Sequence, residues 1–404
     1  MEVFKPFFAY TYFKRFEKSN NFSRFVCPYD FRVNFKENEK NLIKNEHNVF
    51  NFKEDKEGKN KLKSWIDGSI LVSNKTPSFY VYEISYKVFG VVYSLVGVVG
   101  ALKLPEEGEK EFLVVCEETL KEEVEFNSNF LKNSSFFSSP ICAMYEGEQT
   151  EVVSNLIKGT MASSCIFKAK QNNIMHKVWE INEEESLKIL KEFFKDRVYY
   201  VVCGTEKLNA AILCKNEAKE NENLNSNNYV MAFLFPKKIS LTTLPIHRVV
   251  SGIEMFDGEE ILKKASEKFN ITKCKTLDSM RKTLFNFKRN NENAFGFYAD
   301  DCYSVLSLKE ANKEKSPHEM LDVFVVDKLF LDEILKVKSE NVNYSYLDKA
   351  ASFCVDCGDA CFAIFLNAIR SEEFFNIVNL KEKLPVKSFN FFPKPVEGLL
   401  FYVY

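Results

Sequence analysis

The clearest pattern in the chain is the change of hydrophobic period around residue 195. In "EEESLKILKEFFKD" the apolar residues Leu187, Leu190, Phe193 and Phe194 recur at spacings of three and four, the mark of an amphipathic helix with acidic residues in its first turn. "RVYYVVCG" then runs without a polar break, as a buried strand does, and stops at Gly204. "EKLNAAILCKNEAK" returns to a helical pattern. Strand, tight turn at Gly204 and helix together predict a corner of the kind that holds phosphate at a helix N-terminus.

The same reading organises the rest. "KLKSWIDGSILV" is a helix end passing through Asp67-Gly68, and "SFYVYEISYKVFGVVYSLVGVVGALKL" is rich in β-branched and aromatic residues that suit two or three strands. Its apolar core, Val88 to Leu102, is bounded by Lys87 and Lys103 and holds three glycines. A membrane helix needs about 20 apolar residues, so paired strands with a Gly-marked bend are expected instead. A helix, a polar loop and a strand entering at Pro140 follow between "EETLKEEVEF" and "FFSSPICAMY". "YVMAFLFP" reads as a buried strand closed by Pro236, and after Gly252 helices alternate with short strands. The prediction is an α+β fold of mixed sheets with flanking helices. At 404 residues, two domains are expected, since domains usually run to about 100–200 residues. The boundary is placed near residue 255, giving an N-terminal α+β domain (1–255) with the corner and a C-terminal α+β region (256–404).

Charge narrows the partners. Lys and Arg number 55 against 57 Asp and Glu, with no basic stripe, so no nucleic-acid partner is expected. Runs such as Lys53 to Lys63 read as solvated faces or loops. The start of the chain lacks the cationic, apolar and small-residue succession of a secretory signal, and no membrane partner is expected. Eleven cysteines, an odd number, favour reduced thiols in a cytoplasmic protein over a disulfide framework. The abundance of Phe, 40 residues, says little about function. The oligomeric state is not legible.

Several stretches in order resemble the domain-of-unknown-function 1015 family: "CPYD", "PSFYVYE", "YVMAFLFP" with "LPIHRVV", "LDVFVVDKLFLDEIL" and "LPVKSFNFFPKPVEGL". The last is the most specific. Pro385, Lys387, Ser388, Phe391, Pro393, Lys394 and Gly398 fall at the spacing of the family's Pro-Pro-Lys-Ser-Thr-x-Phe-x-Pro-Lys ending. Members usually carry Asp-Gly-His-His-Arg at the corner, a pentad similar to the phosphate loop of free-serine kinases and ParB-type domains. The resemblance implies a ParB/serine-kinase-like core and a nucleotide-dependent phosphotransferase, with ATP or ADP and Mg²⁺ as cofactors if active and a small-molecule ligand as partner.

This chain departs from that pentad. Cys203 stands at the Asp position, Thr205 and Glu206 at the two His positions and Lys207 at the Arg position, while Gly204 is kept. A second family stretch, His-Glu-x-Thr, keeps Glu117 and Thr119 but has Cys116 for the His.

Phosphoryl transfer needs donors for the phosphate oxygens, a divalent cation in most cases, and a carboxylate to orient the attacking hydroxyl. Gly204, Thr205 and Lys207 are the candidate phosphate ligands of the corner, with Thr119, Arg248 and Asp30 as further candidates for a phosphate or nucleotide. Glu117 is the candidate catalytic carboxylate, or else a surface glutamate in an acidic run. Asp30, in the retained Pro-Tyr-Asp, is equally a turn-former, and Arg248, after His247, equally a salt-bridged arginine. Cys203 is a poor Mg²⁺ ligand beside a carboxylate. "CVDCGDAC" offers Cys354, Cys357 and Cys361, but a closed zinc site needs a fourth ligand, and no metal is expected. The expectation is a divergent member that is non-catalytic or ligand-sensing. The alternative is an active kinase acting on free serine or a similar hydroxyl substrate.

Overall fold

The computed structural model describes the chain except for residues 1, 14–20, 29–44, 53–57, 89, 107, 110, 221–226, 239–241, 255 and 310–315. Its described residues fall into two compact units. Residues up to 238 and Pro393–Tyr404 form the first, and residues 242–392 the second. This differs from the expected split at 255 in two ways. The strand His247–Val250 belongs to the second unit, and the last twelve residues return to the first.

The first unit is built on a mixed sheet. Its strands lie in the order Leu113–Val115, Tyr199–Cys203, Ile141–Tyr145, Tyr229–Pro236, Val91–Lys103, Phe79–Val88, Ile174–Ile181 and Phe167–Gln171, with Phe4–Lys5 added beside Val91–Lys103. The central strands Tyr199–Cys203, Ile141–Tyr145 and Tyr229–Pro236 read as unbroken apolar runs because helices and aromatic side chains leave almost none of them exposed. The predicted strand pair is the hairpin Phe79–Val88 with Val91–Lys103, and Gly90, at φ 87°, makes its turn. The other two glycines of that run do not bend the chain. A Cβ on Gly97 would lie 2.3 Å from the Leu234 carbonyl oxygen and 2.6 Å from the ring of Phe233, and one on Gly100 2.4 Å from the ring of Phe4, so Gly97 admits a close backbone neighbour as well as a ring and Gly100 clears space for an aromatic side chain.

Helices Lys121–Ser134, Glu184–Phe194 and Thr205–Glu220 match the sequence pattern. A small sheet, Leu71–Ser73, Ala9–Tyr12, Phe401–Val403 and Phe136–Phe137, ties the end of the chain back to its start.

The second unit is also α+β. Six strands run in the order Phe269–Cys274, Cys302–Leu308, Ala294–Ala299, Phe362–Phe365, His247–Val250 and Val342–Ser345. Helix Leu277–Arg289 lays Met280 and Leu284 into a core with Val305, Ala363 and Phe365. Both units are therefore α+β, as the alternation of periods predicts.

Candidate functional site: the corner at Gly204

The corner forms as its sequence suggests. Strand Tyr199–Cys203 ends at Gly204, whose φ of 81° turns the chain into helix Thr205–Glu220. The Gly204 carbonyl accepts from Lys207 N and Leu208 N, each at 3.0 Å, which starts the helix. Thr205 is buried, and Ala210 and Ala211 lie buried farther along.

Lys207 stands where the family pattern has Arg, and its charge is engaged within the fold. Its Nζ lies 3.1 Å from Glu397 Oε1 and donates to Ser139 Oγ at 2.6 Å. Glu397 is 1% exposed, and its other oxygen accepts from Ser138 Oγ at 3.3 Å. The carboxylate is held in place through its backbone: Glu397 and Cys27 exchange N–H···O bonds of 2.9 and 3.2 Å, and Gly398 N donates to Ser138 O at 2.8 Å. Val396 N donates to Tyr82 Oη at 3.1 Å, and Tyr82 Oη meets His176 Nδ1 at 3.0 Å. Burial pushes His176 down to about 3, which keeps its ring neutral.

Beneath this network Cys142 and Cys203 face each other on adjacent antiparallel strands. Burial pushes the Cys142 thiol well above its ordinary value, and contact with Cys203 pushes it the same way, against the charges of Lys394 and Lys207.

The second stretch comes to the same edge of the sheet. Strand Leu113–Val115 runs parallel to Tyr199–Val201, so the residues that follow each, Cys116 to Thr119 and Gly204 to Lys207, leave the sheet on the same side. Asn209 Nδ2 donates to Thr119 Oγ1 at 3.1 Å, joining that stretch to the corner helix. Glu117 is half-buried. Burial first, and the Glu117 carboxylate second, push the Cys116 thiol well above its ordinary value.

Three expectations fare differently. Arg248 is fully buried in the second unit, and all five of its N–H donors are taken: Nε and Nη2 hold Asp327 at 2.9 and 2.8 Å, and the carbonyls of Ile246, Lys387 and Val386 take the rest. It has no donor left for a phosphate, and the salt-bridged alternative is the one observed. Its neighbour His247 is likewise engaged within the second unit. Nδ1 accepts from Leu366 N, Nε2 lies 2.9 Å from Asp348, and burial outweighs that carboxylate in pulling the ring below its ordinary value. Asp30 lies outside the described residues. Cys354, Cys357 and Cys361 are free thiols, and among the described residues no cluster of three or more His, Cys, Asp or Glu is arranged to hold a metal.

Glu397, the carboxylate of the corner, went unmarked in sequence reasoning although it lies inside "FFPKPVEGL", the most family-specific stretch. The signal was that an ending so constrained in sequence should touch something constrained in space.

Fold and corner define a class: an α+β protein whose mixed sheet ends in a strand–glycine–helix turn. Residues 4–324 match the family described as "Protein of unknown function (DUF1015)", and the chain belongs to it. The match ends before the segment that carries Glu397. No curated protein matches. Among solved structures the chain is similar to a conserved hypothetical protein from Pyrococcus furiosus, at 11% identity, TM-score 0.38 and coverage of 72% of this chain and 90% of that one. It is similar to a mutant free serine kinase in complex with AMP at 12% identity, TM-score 0.36, 72% and 92%. It is also similar to C-terminally truncated SbnI from Staphylococcus aureus at 10% identity, TM-score 0.37, 74% and 85%. These likenesses are remote.

Proposed function

We propose that the chain is a non-catalytic or ligand-sensing relative of small-molecule, serine-type kinases. The observation that carries this reading is the ion pair between Lys207 and the buried Glu397. The cation at the family's Arg position is committed to an internal carboxylate, and that carboxylate adds negative charge where a phosphate would sit. Mg²⁺ with ATP or ADP does not fit this corner. The thiols of Cys142 and Cys203 are soft ligands, and the buried carboxylate of Glu397 faces Lys207 and Ser138.

A second reading, an active kinase on free serine or a similar hydroxyl substrate, is favoured by one contact. The Thr119–Asn209 hydrogen bond draws the Glu117-x-Thr119 stretch to the corner helix, where Glu117 would act as the carboxylate. Phosphoserine formation with ATP or ADP, Mg²⁺ and free L-serine separates the two. The first reading expects none above the protein-free background. Turnover that Glu117→Ala abolishes would establish the second, and a nucleotide-induced rise in melting temperature without turnover would specify ligand sensing.

We also propose a cytoplasmic setting, supported by the odd number of cysteines, eleven, which favours reduced thiols over a disulfide framework. Among the described residues no helix is long and apolar enough to cross a membrane. The near balance of charge supports a small-molecule ligand over a nucleic acid.

A further inference from the structure

Cys142 and Cys203 occupy directly opposed positions on the antiparallel strands Ile141–Tyr145 and Tyr199–Cys203. Opposed residues on such strands have Cα atoms about 4.5–5.5 Å apart, inside the span that a disulfide bridges. The register shifts between Val201 and Cys203, an irregularity of the kind that re-aims a side chain next to a site. Both thiols are free. Cys142 is fully enclosed, whereas Cys203 is 7% exposed and immediately precedes the Gly204 turn, so a small oxidant meets Cys203 first.

We infer that this dithiol is an oxidation site, which a hydroperoxide closes into a Cys142–Cys203 disulfide. The Cys203 sulfur attacks the terminal peroxide oxygen, the O–O bond breaks, and the alcohol leaves with the thiol proton. The sulfenic acid so formed has a neighbour already in contact. The Cys142 sulfur attacks the Cys203 sulfur, the S–O bond breaks, and water leaves carrying the Cys142 proton. Two thiols are oxidised by two electrons in total, and one hydroperoxide is reduced to one alcohol and one water.

Lys394 and Lys207 oppose the effect of burial on the Cys142 thiol without overcoming it, so what makes Cys142 the resolving group is its place directly opposite Cys203. The new bond would join the end of the strand before Gly204 to the strand entered from Ser138 and Ser139. Those serines contact Glu397 and Lys207, so oxidation acts on the corner itself. In a reducing compartment such a bond is transient and serves as a signal. The inference stands apart from the question of catalysis.

The test is peptide mapping of the intact, folded chain after hydrogen peroxide treatment and alkylation of the remaining thiols. The expected result is a linked peptide pair joining Cys142 to Cys203, lighter by two hydrogens and released by a dithiol reductant. In Cys142→Ala, dimedone should trap several-fold more Cys203 sulfenic acid than in the unaltered chain. The inference is overturned if both residues stay alkylatable, if Cys203 passes to sulfinic acid while Cys142 remains free, or if the pair links only in denaturant. The mapping needs no variant, so it decides the matter even if Cys142→Ala folds poorly.

Discussion

Lys207 and Glu397 are 190 positions apart in the chain and 3.1 Å apart in the structure. The pair joins the first turn of the corner helix to a segment that reaches the first unit only after the chain has built the whole second one. What the corner can do therefore depends on how firmly that returning segment is held.

Gly398 is one of the fastenings. Its φ is 97°, and a Cβ there would lie 2.9 Å from Val49 Cβ and Cγ1. Gly398→Ala should combine backbone strain with a clash and cost about 2–3 kcal/mol. Gly90→Ala, with φ 87° but nothing within 4 Å, should cost only about 1 kcal/mol. Urea denaturation of the two variants checks the order.

His176 makes the same segment sensitive to acid. Its folded value is about 3 against an ordinary 6.5, so below pH 6.5 the unfolded chain takes up a proton that the folded chain refuses. The stability associated with neutral His176 is complete above about pH 6.5 and is lost as pH falls toward 3, at up to about 1.4 kcal/mol per pH unit. His176→Asn keeps an acceptor near the Nδ1 position without the titration. Its stability should fall less steeply between pH 6 and pH 4, as read by denaturation at fixed pH (~1 kcal/mol per unit less).

Arg248 should behave as a structural residue of the second unit. Arg248→Lys loses the two-pronged grip on Asp327 and the carbonyl contacts, and should cost about 3–5 kcal/mol. Hydrogen exchange should accelerate in the neighbouring strands Val342–Ser345 and Phe362–Phe365. A phosphate ligand would show the opposite behaviour, with weaker ligand binding and unchanged exchange.

How much of this was legible in the sequence depended on the range over which the information acts. Helix Glu184–Phe194, strand Tyr199–Cys203 and the turn at Gly204 could be read because periodicity and a glycine break are local. The exchange of the family's pentad was equally visible. The Lys207–Glu397 pair was not, since no local pattern says which distant carboxylate a lysine will meet. Nor was the opposition of Cys142 and Cys203, which depends on Ile141–Tyr145 lying between Tyr199–Cys203 and Tyr229–Pro236 in the sheet. Arg248 misled for a related reason. Its guanidinium is taken by Asp327 and by the carbonyls of Val386 and Lys387, partners far from it in the sequence. The return of the last twelve residues to the first unit is likewise invisible to a linear search for linkers.

The most direct test of the account is a double-mutant cycle on Lys207→Met and Glu397→Gln, read by denaturant unfolding. Glu397 is 1% exposed and the Lys207 side chain 16%, so the pair is shielded from the solvent that weakens surface ion pairs. Lys207→Met deprives the enclosed carboxylate of this cation and should cost about 3 kcal/mol, more than Glu397→Gln, whose lysine stands nearer to water. The double variant should recover much of that loss, with a coupling energy of about 2 kcal/mol. Strictly additive single losses, with coupling near zero, would mean that Lys207 is not committed to Glu397 and would contradict the account.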